Sequence, residues 1–182
     1  AAAGTVTKVQ GWTLIDNAYD LAQSGAMTTE EAQALAKDSG GALRYGDDNA
    51  GYFFITDLTP TMVMHPLKPE MNGQDMSDYK DPNGKALFVS FANLCKSQGE
   101  GFDEYMWQYG NQTGRNEAKT SYVKEFEPWS WVVGTGIYTV DVNEQIAATR
   151  TQYLMLGIAV AIACFLLVFF IARTISQNVR KA

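Results

Sequence analysis

Twenty consecutive residues without a charged side chain, Tyr153 to Ala172 (YLMLGIAVAIACFLLVFFIA), stand near the end of this 182-residue chain. At a helical rise of about 1.5 Å per residue they span about 30 Å, the thickness of one bilayer core. The competing reading is the buried helix of a soluble protein, but such helices seldom stay apolar on every face over this length. The chain is therefore expected to cross a membrane once here. Arg173, Arg180 and Lys181 follow the run with no acidic residue, while Asp141, Glu144 and Arg150 precede it. That asymmetry puts the C-terminus in the cytoplasm and the bulk of the chain on the extracytoplasmic side, facing the periplasm or exterior.

The remainder suits one compact domain of about 150 residues. A net charge of -6, with fourteen scattered Lys and Arg, argues against nucleic acid as a partner. One histidine and two cysteines give no ligand cluster, so no metal and no cofactor is expected. Cys164 lies in the apolar run and Cys95 in a soluble helix, so no disulfide joins them, and Cys95 is expected to be unpaired or at a contact between subunits. Asp57, Asp75, Asp78 and Asp81 do not follow the spacing of a calcium loop and are read as turn caps. No nucleophile elbow or phosphate loop is present, and the chain is not read as an enzyme.

Trp12, Ile15, Tyr19 and Ala22 recur at three and four residues and predict a helix over 9–22. Thr28 with Glu31 forms a capping box opening a second helix through Ala36, which Gly40 and Gly41 are expected to end. Aromatic and β-branched runs at 51–57 and 61–65, around Thr59-Pro60, predict a hairpin. A polar loop then leads to a helix over 86–97, followed by strands over 101–109, 119–126 and 131–138. The fold class read from this order is α+β, an antiparallel sheet of about five strands with helices on one face. A last helix can run unbroken from about Val142 through the membrane, about 60 Å at helical rise.

The runs ALRYGDDNAGYFFITD, MVMHP, MNGQDMSDYKDPNGK, GEGFDEYMWQ and AKTSYVKEFEPWSWVVGTGIYTVDV, in this order between Trp12 and Asn143, resemble the single Cache domain of bacterial chemoreceptors and related sensor kinases. The resemblance implies a PAS-like five-stranded antiparallel sheet with N-terminal helices, binding small molecules such as short-chain carboxylates and working as a parallel homodimer. It divides the chain into a sensor domain over 1–141, a connecting helix over 142–152, the transmembrane helix over 153–172 and a HAMP-like start over 173–182. Two departures stand out: Leu58, Thr59 and Pro60 replace a usual turn glycine, and Asn178 stands where a proline is frequent.

A buried carboxylate ligand needs donors, ideally a planar Arg fork, with hydroxyl or ring N–H groups and an apolar wall for its carbon tail. In the matched segments Arg44 is a candidate for a bidentate pair or else a surface arginine. His65, within MHP, would donate to an anion when protonated or tune the site near neutral pH. Tyr105 and Trp107 share a strand face and offer polar tips, unless they are simply core. Tyr52 offers a hydroxyl on the same terms. Lys119 and Tyr122, three residues apart, fall on opposite faces of a regular strand, so they cannot both face a ligand there. Gly134 and Gly136 suggest close approach of another backbone or a ligand. The expected function is an extracytoplasmic carboxylate sensor of a transmembrane chemoreceptor; the alternative is a non-signalling accessory subunit that uses the same fold for docking in a membrane assembly.

Overall fold

The computed structural model describes residues 2–46 and 49–179. They fall into two compact units, 1–140 and 141–182. In the first, helix α1 (Ala2–Gln23) and helix α2 (Thr29–Ala42) precede strands β1 (Arg44–Tyr45), β2 (Gly51–Asp57) and β3 (Met62–Met64). Helix α3 (Leu87–Gln98) leads to a meander of β4 (Glu100–Gln108), β5 (Asn116–Phe126) and β6 (Trp131–Tyr138). The sheet runs β1-β2-β6-β5-β4, with β3 also paired to β2, and every pairing is antiparallel. The α+β class and the strand order in sequence agree with expectation.

Helices lie on both faces of the sheet, which corrects the expectation of one. The reason is readable in β2, where Tyr52, Phe53, Phe54 and Ile55 are all buried. Successive side chains point to opposite faces, so an uninterrupted apolar run needs cover on both. Phe53 and Ile55 pack with Ile15 and Ala18 of α1, Ala32 and Ala36 of α2, and Phe126 and Trp131. Tyr52 and Phe54 pack with Leu87, Phe88 and Phe91 of α3, and with Tyr105 and Trp107.

Local signals hold at the ends of the helices. Thr28 Oγ1 accepts the Glu31 N–H at 3.2 Å, and the Thr28 N–H donates to Glu31 Oε2 at 2.8 Å, closing the capping box. Gly40 and Gly41 do not end α2, which continues to Ala42; Met64 lies against both, at distances where a Cβ would make ordinary contact. Asp57 caps the β2–β3 turn through the Thr59 and Thr61 N–H groups, and Asp75 accepts from Ser77. Cys95 is a free thiol inside the core, where burial and the nearby Glu125 push it up to about 11, so it is no surface contact.

The second unit belongs to helix α4 (Thr139–Val179), which follows β6 directly. Its stretch Thr149–Leu166 is long and apolar enough to cross a membrane, and its Leu154, Met155, Ile158 and Phe165 are exposed. Arg180 and Lys181, on which the orientation expectation rests, lie outside the described residues.

Candidate functional site

Register brings the polar groups of the α3-side face together. Tyr105 stands directly opposite Lys119, and Lys119 directly opposite Tyr138, so β4, β5 and β6 contribute one row. Alternation along β5 then places Ser121 on the same face as Lys119 and Tyr122 on the other. Ser121 Oγ and Tyr105 Oη are 2.8 Å apart, and both residues are buried. Tyr138 Oη donates to the Gln108 carbonyl at 2.6 Å.

Beside this row, Tyr52, Phe54, His65, Leu87, Phe88, Tyr105 and Trp107 line an internal crevice. No part of it is wide enough to seat a water. Phe54, Leu87 and Phe88 form its apolar wall. Phe54 lies over Gly134, its cross-strand partner, where a Cβ would meet the ring at 2.2 Å. The close approach at Gly134 is thus made by a side-chain ring, which corrects the expectation of a backbone or ligand there, whereas at Gly136 the Thr120 carbonyl is the near backbone.

Lys119 is 1% exposed, and its Nζ has no hydrogen-bond partner. Its ammonium instead faces aromatic rings, 3.8 Å from the centre of Tyr52 and 5.0 Å from that of Tyr138. Burial lowers its pKa to about 7. Burial raises the pKa of the Tyr52 and Tyr105 hydroxyls, so both stay protonated donors. A hydrogen bond from Trp107 to Tyr52 and one from Tyr52 to Tyr138 tie the rings together.

His65 is 2% exposed and packs its ring 5.1 Å from Tyr52 and 5.5 Å from Trp107. Nδ1 accepts two backbone N–H groups, from Leu67 at 3.3 Å and Lys68 at 3.1 Å. An imidazole nitrogen that accepts is unprotonated, so the ring proton sits on Nε2. Burial first, then the charges of Lys119, Lys68 and Arg44, lower its pKa to about 3. The expectation of a protonated or near-neutral switch is therefore corrected: His65 is a neutral Nε2–H donor.

Three predicted site residues are not part of the crevice lining: Arg44, Tyr122, and Lys119, which stands in the adjoining row with its ammonium over the Tyr52 ring. Arg44 spends Nη1 on the carbonyls of Gly41 and Leu43, each at 2.7 Å, closing the end of α2. Tyr122 is on the opposite face, 5.2 Å from Phe102 and hydrogen-bonded to Glu100. The period-2 alternation that separated it from Lys119 also carries Ser121, which was not singled out, into the site. Tyr138 was missed because it reads as the last apolar residue of a strand.

The Cache domain family profile matches residues 6–156. The chain belongs to the Cache domain family. This Cache domain is 36% identical over 183 aligned positions to the methyl-accepting chemotaxis protein McpP of Pseudomonas putida, covering all of the chain and 31% of that protein. The chain thus spans under a third of that curated relative. Among solved structures, a periplasmic sensor domain of a chemotaxis protein superposes with a TM-score of 0.70 at 37% identity, over 76% of this chain and 95% of that one. A Cache chemosensory domain described for carboxylic acid recognition also gives 0.70, at 38% identity, over 76% and 91%.

Proposed function

We propose that this Cache domain is the extracytoplasmic ligand-binding part of a transmembrane receptor and that its ligand is a small carboxylate. The observation that carries the reading is the buried Lys119 ammonium without a hydrogen-bond partner. A buried cation left unpaired is costly, and an incoming carboxylate is the group that removes the cost. Beside Lys119 the Tyr105 hydroxyl and the Nε2–H of His65 supply neutral donors, the Tyr52 proton being engaged by Tyr138, and Phe54, Leu87 and Phe88 supply the wall for a short carbon tail. Carboxylic acid recognition by a Cache domain 38% identical to this one supports the same class.

Binding would change the contacts of Lys119. The carboxylate competes with the Tyr52 ring for the ammonium, and Tyr52 is tied to Tyr138. Tyr138 ends β6, and α4 begins at the next residue. A ligand that prefers one arrangement of this aromatic set thereby biases the start of the helix, which is all that signalling requires. The domain division at 141, the membrane pass, its orientation and a homodimeric receptor belong to this proposal.

Calorimetry of the whole chain in detergent against acetate, propionate, lactate, pyruvate and amino acids tests it. Saturable binding of at least one carboxylate is expected. Silence across the panel contradicts the reading.

A further inference from the structure

Every residue lining the inner crevice is buried; the most exposed, Tyr105, reaches 7%. A ligand therefore reaches it only by displacing a lining side chain. One of these residues also borders an outer groove. Trp107 shares that groove with Lys68, Tyr79, Lys80, Asp81, Pro82, Met106, Gln108 and Asn116 around about 280 Å³ of space. Among the described residues it is the only one common to the crevice and the groove.

The wall that flanks Trp107 is held unevenly. Farther along the segment between β3 and α3, Asp81 accepts the N–H groups of Asn83, Lys85 and Met106, and Lys85 pairs with Asp103. These contacts fasten that segment to β4. On the Met106 side of Trp107 the wall is held by Asp81, and the indole packs against Tyr79 and Phe88; on the Gln108 side the fastening is one side-chain pair, with Lys68 Nζ donating to Gln108 Oε1 at 3.1 Å and lying 5.9 Å from the centre of the Trp107 ring.

Charge in the groove suits an anion. Lys68 and Lys80 are its cations, while Asp81 is 5% exposed with its oxygens engaged by backbone. Glu117, opposite Trp107, is paired with Arg115 at 2.9 Å. Two cations against the one Asp81 carboxylate leave the groove net positive, and a cleft of net positive charge raises the local concentration of anions.

We propose that the outer groove is a collecting site for small monocarboxylates and the passage to the inner crevice, with Trp107 as the moving partition and the Lys68–Gln108 hydrogen bond as its latch. The proposal rests on the carboxylate reading of the crevice. It makes Lys68 and Gln108 determinants of rate, not of affinity, because the latch is the same whether or not the crevice is occupied.

The test uses the whole chain in detergent, labelled with 5-fluorotryptophan, the Trp107 fluorine signal being identified by its loss in Trp107→Phe. Gln108→Ala removes the latch acceptor, along with a 3.2 Å bond from its amide to the Gly110 carbonyl, and keeps both lysines. Exchange of the Trp107 signal is expected to quicken about 5-fold or more, a readout that needs no ligand. Stopped-flow mixing with whichever of acetate, propionate, lactate or pyruvate binds is expected to show kon and koff rising together by about 5-fold, with Kd within about 2-fold. Lys80→Gln is expected to lower kon about 2-fold at low salt and to weaken its salt dependence. An unchanged Trp107 signal in Gln108→Ala overturns the passage, as does a change confined to koff, which would make Gln108 a ligand contact. If no carboxylate in the panel binds, the crevice reading fails, and the fluorine signal alone still decides whether Trp107 is a latched partition.

Discussion

Lys119 holds its ammonium 3.8 Å from the centre of the Tyr52 ring, inside the protein, with no hydrogen bond to either neighbouring strand. Ring contacts of this kind contribute on the order of 1–2 kcal/mol when desolvated, less than a buried charge loses on leaving water. The domain therefore carries a local instability where the ligand is proposed to sit. Lys119→Met, which keeps the length of the side chain without the charge, is expected to raise stability without ligand by about 1–4 kcal/mol. The same variant is expected to weaken carboxylate binding by about 100-fold or more. Chemical denaturation alongside calorimetry reads both effects, and a variant that loses stability and keeps its affinity would remove Lys119 from the site.

The stability of the unliganded domain should depend on pH through the same residue. Its folded pKa is about 7 against an ordinary 10.5, so between these values the unfolded chain binds more protons. Stability is therefore expected to rise with pH across that window. Lys119→Met is expected to flatten the rise, and urea midpoints of the two proteins measure the difference.

His65 acts on the acid side. Its folded pKa is about 3 against an ordinary 6.5, so it is neutral in both states above pH 6.5 and the unfolded chain alone takes up a proton below it. The stability this gives is present above pH 6.5 and lost as pH falls toward 3, at up to about 1.4 kcal/mol per pH unit. His65→Asn keeps a side-chain acceptor for the Leu67 and Lys68 N–H groups. Its unfolding free energy should fall less steeply between pH 6.5 and 3 than that of the wild type.

Gly134 is expected to tolerate no side chain. An alanine Cβ there would lie 2.2 Å from the Phe54 ring, which forms part of the crevice wall. Gly134→Ala should cost about 1–3 kcal/mol by overpacking, read as a lower Tm, and should change ligand affinity because Phe54 must move.

Much of this arrangement was readable from alternation alone. Tyr105 and Trp107 were placed on one face and Lys119 and Tyr122 on opposite ones, and the structure agrees. Sequence could not say which of the two faces held the polar groups, because that depends on where α1, α2 and α3 pack. Nor could it foresee the fate of Arg44, whose guanidinium is drawn to the open carbonyls of α2, a contact set by where the helix stops. His65 was identified, but its protonation state follows from two backbone N–H groups in the following turn. Whether a buried lysine ends against a carboxylate or an aromatic ring depends on cross-strand register, which joins residues such as Lys119 and Tyr52 across 67 positions of sequence.

Proton uptake on binding tests the central claim most directly. If the carboxylate pairs with Lys119, it must hold the ammonium charged, so a lysine with a pKa of about 7 takes up a proton as the ligand enters. Calorimetry in two buffers of different ionisation enthalpy is expected to show uptake of about 0.9 proton at about pH 8 and about 0.1 at about pH 6, with affinity falling as pH rises above 7. Lys119→Met should show neither the uptake nor the slope. Tight binding with no proton uptake at pH 8 in the wild-type domain would contradict the account.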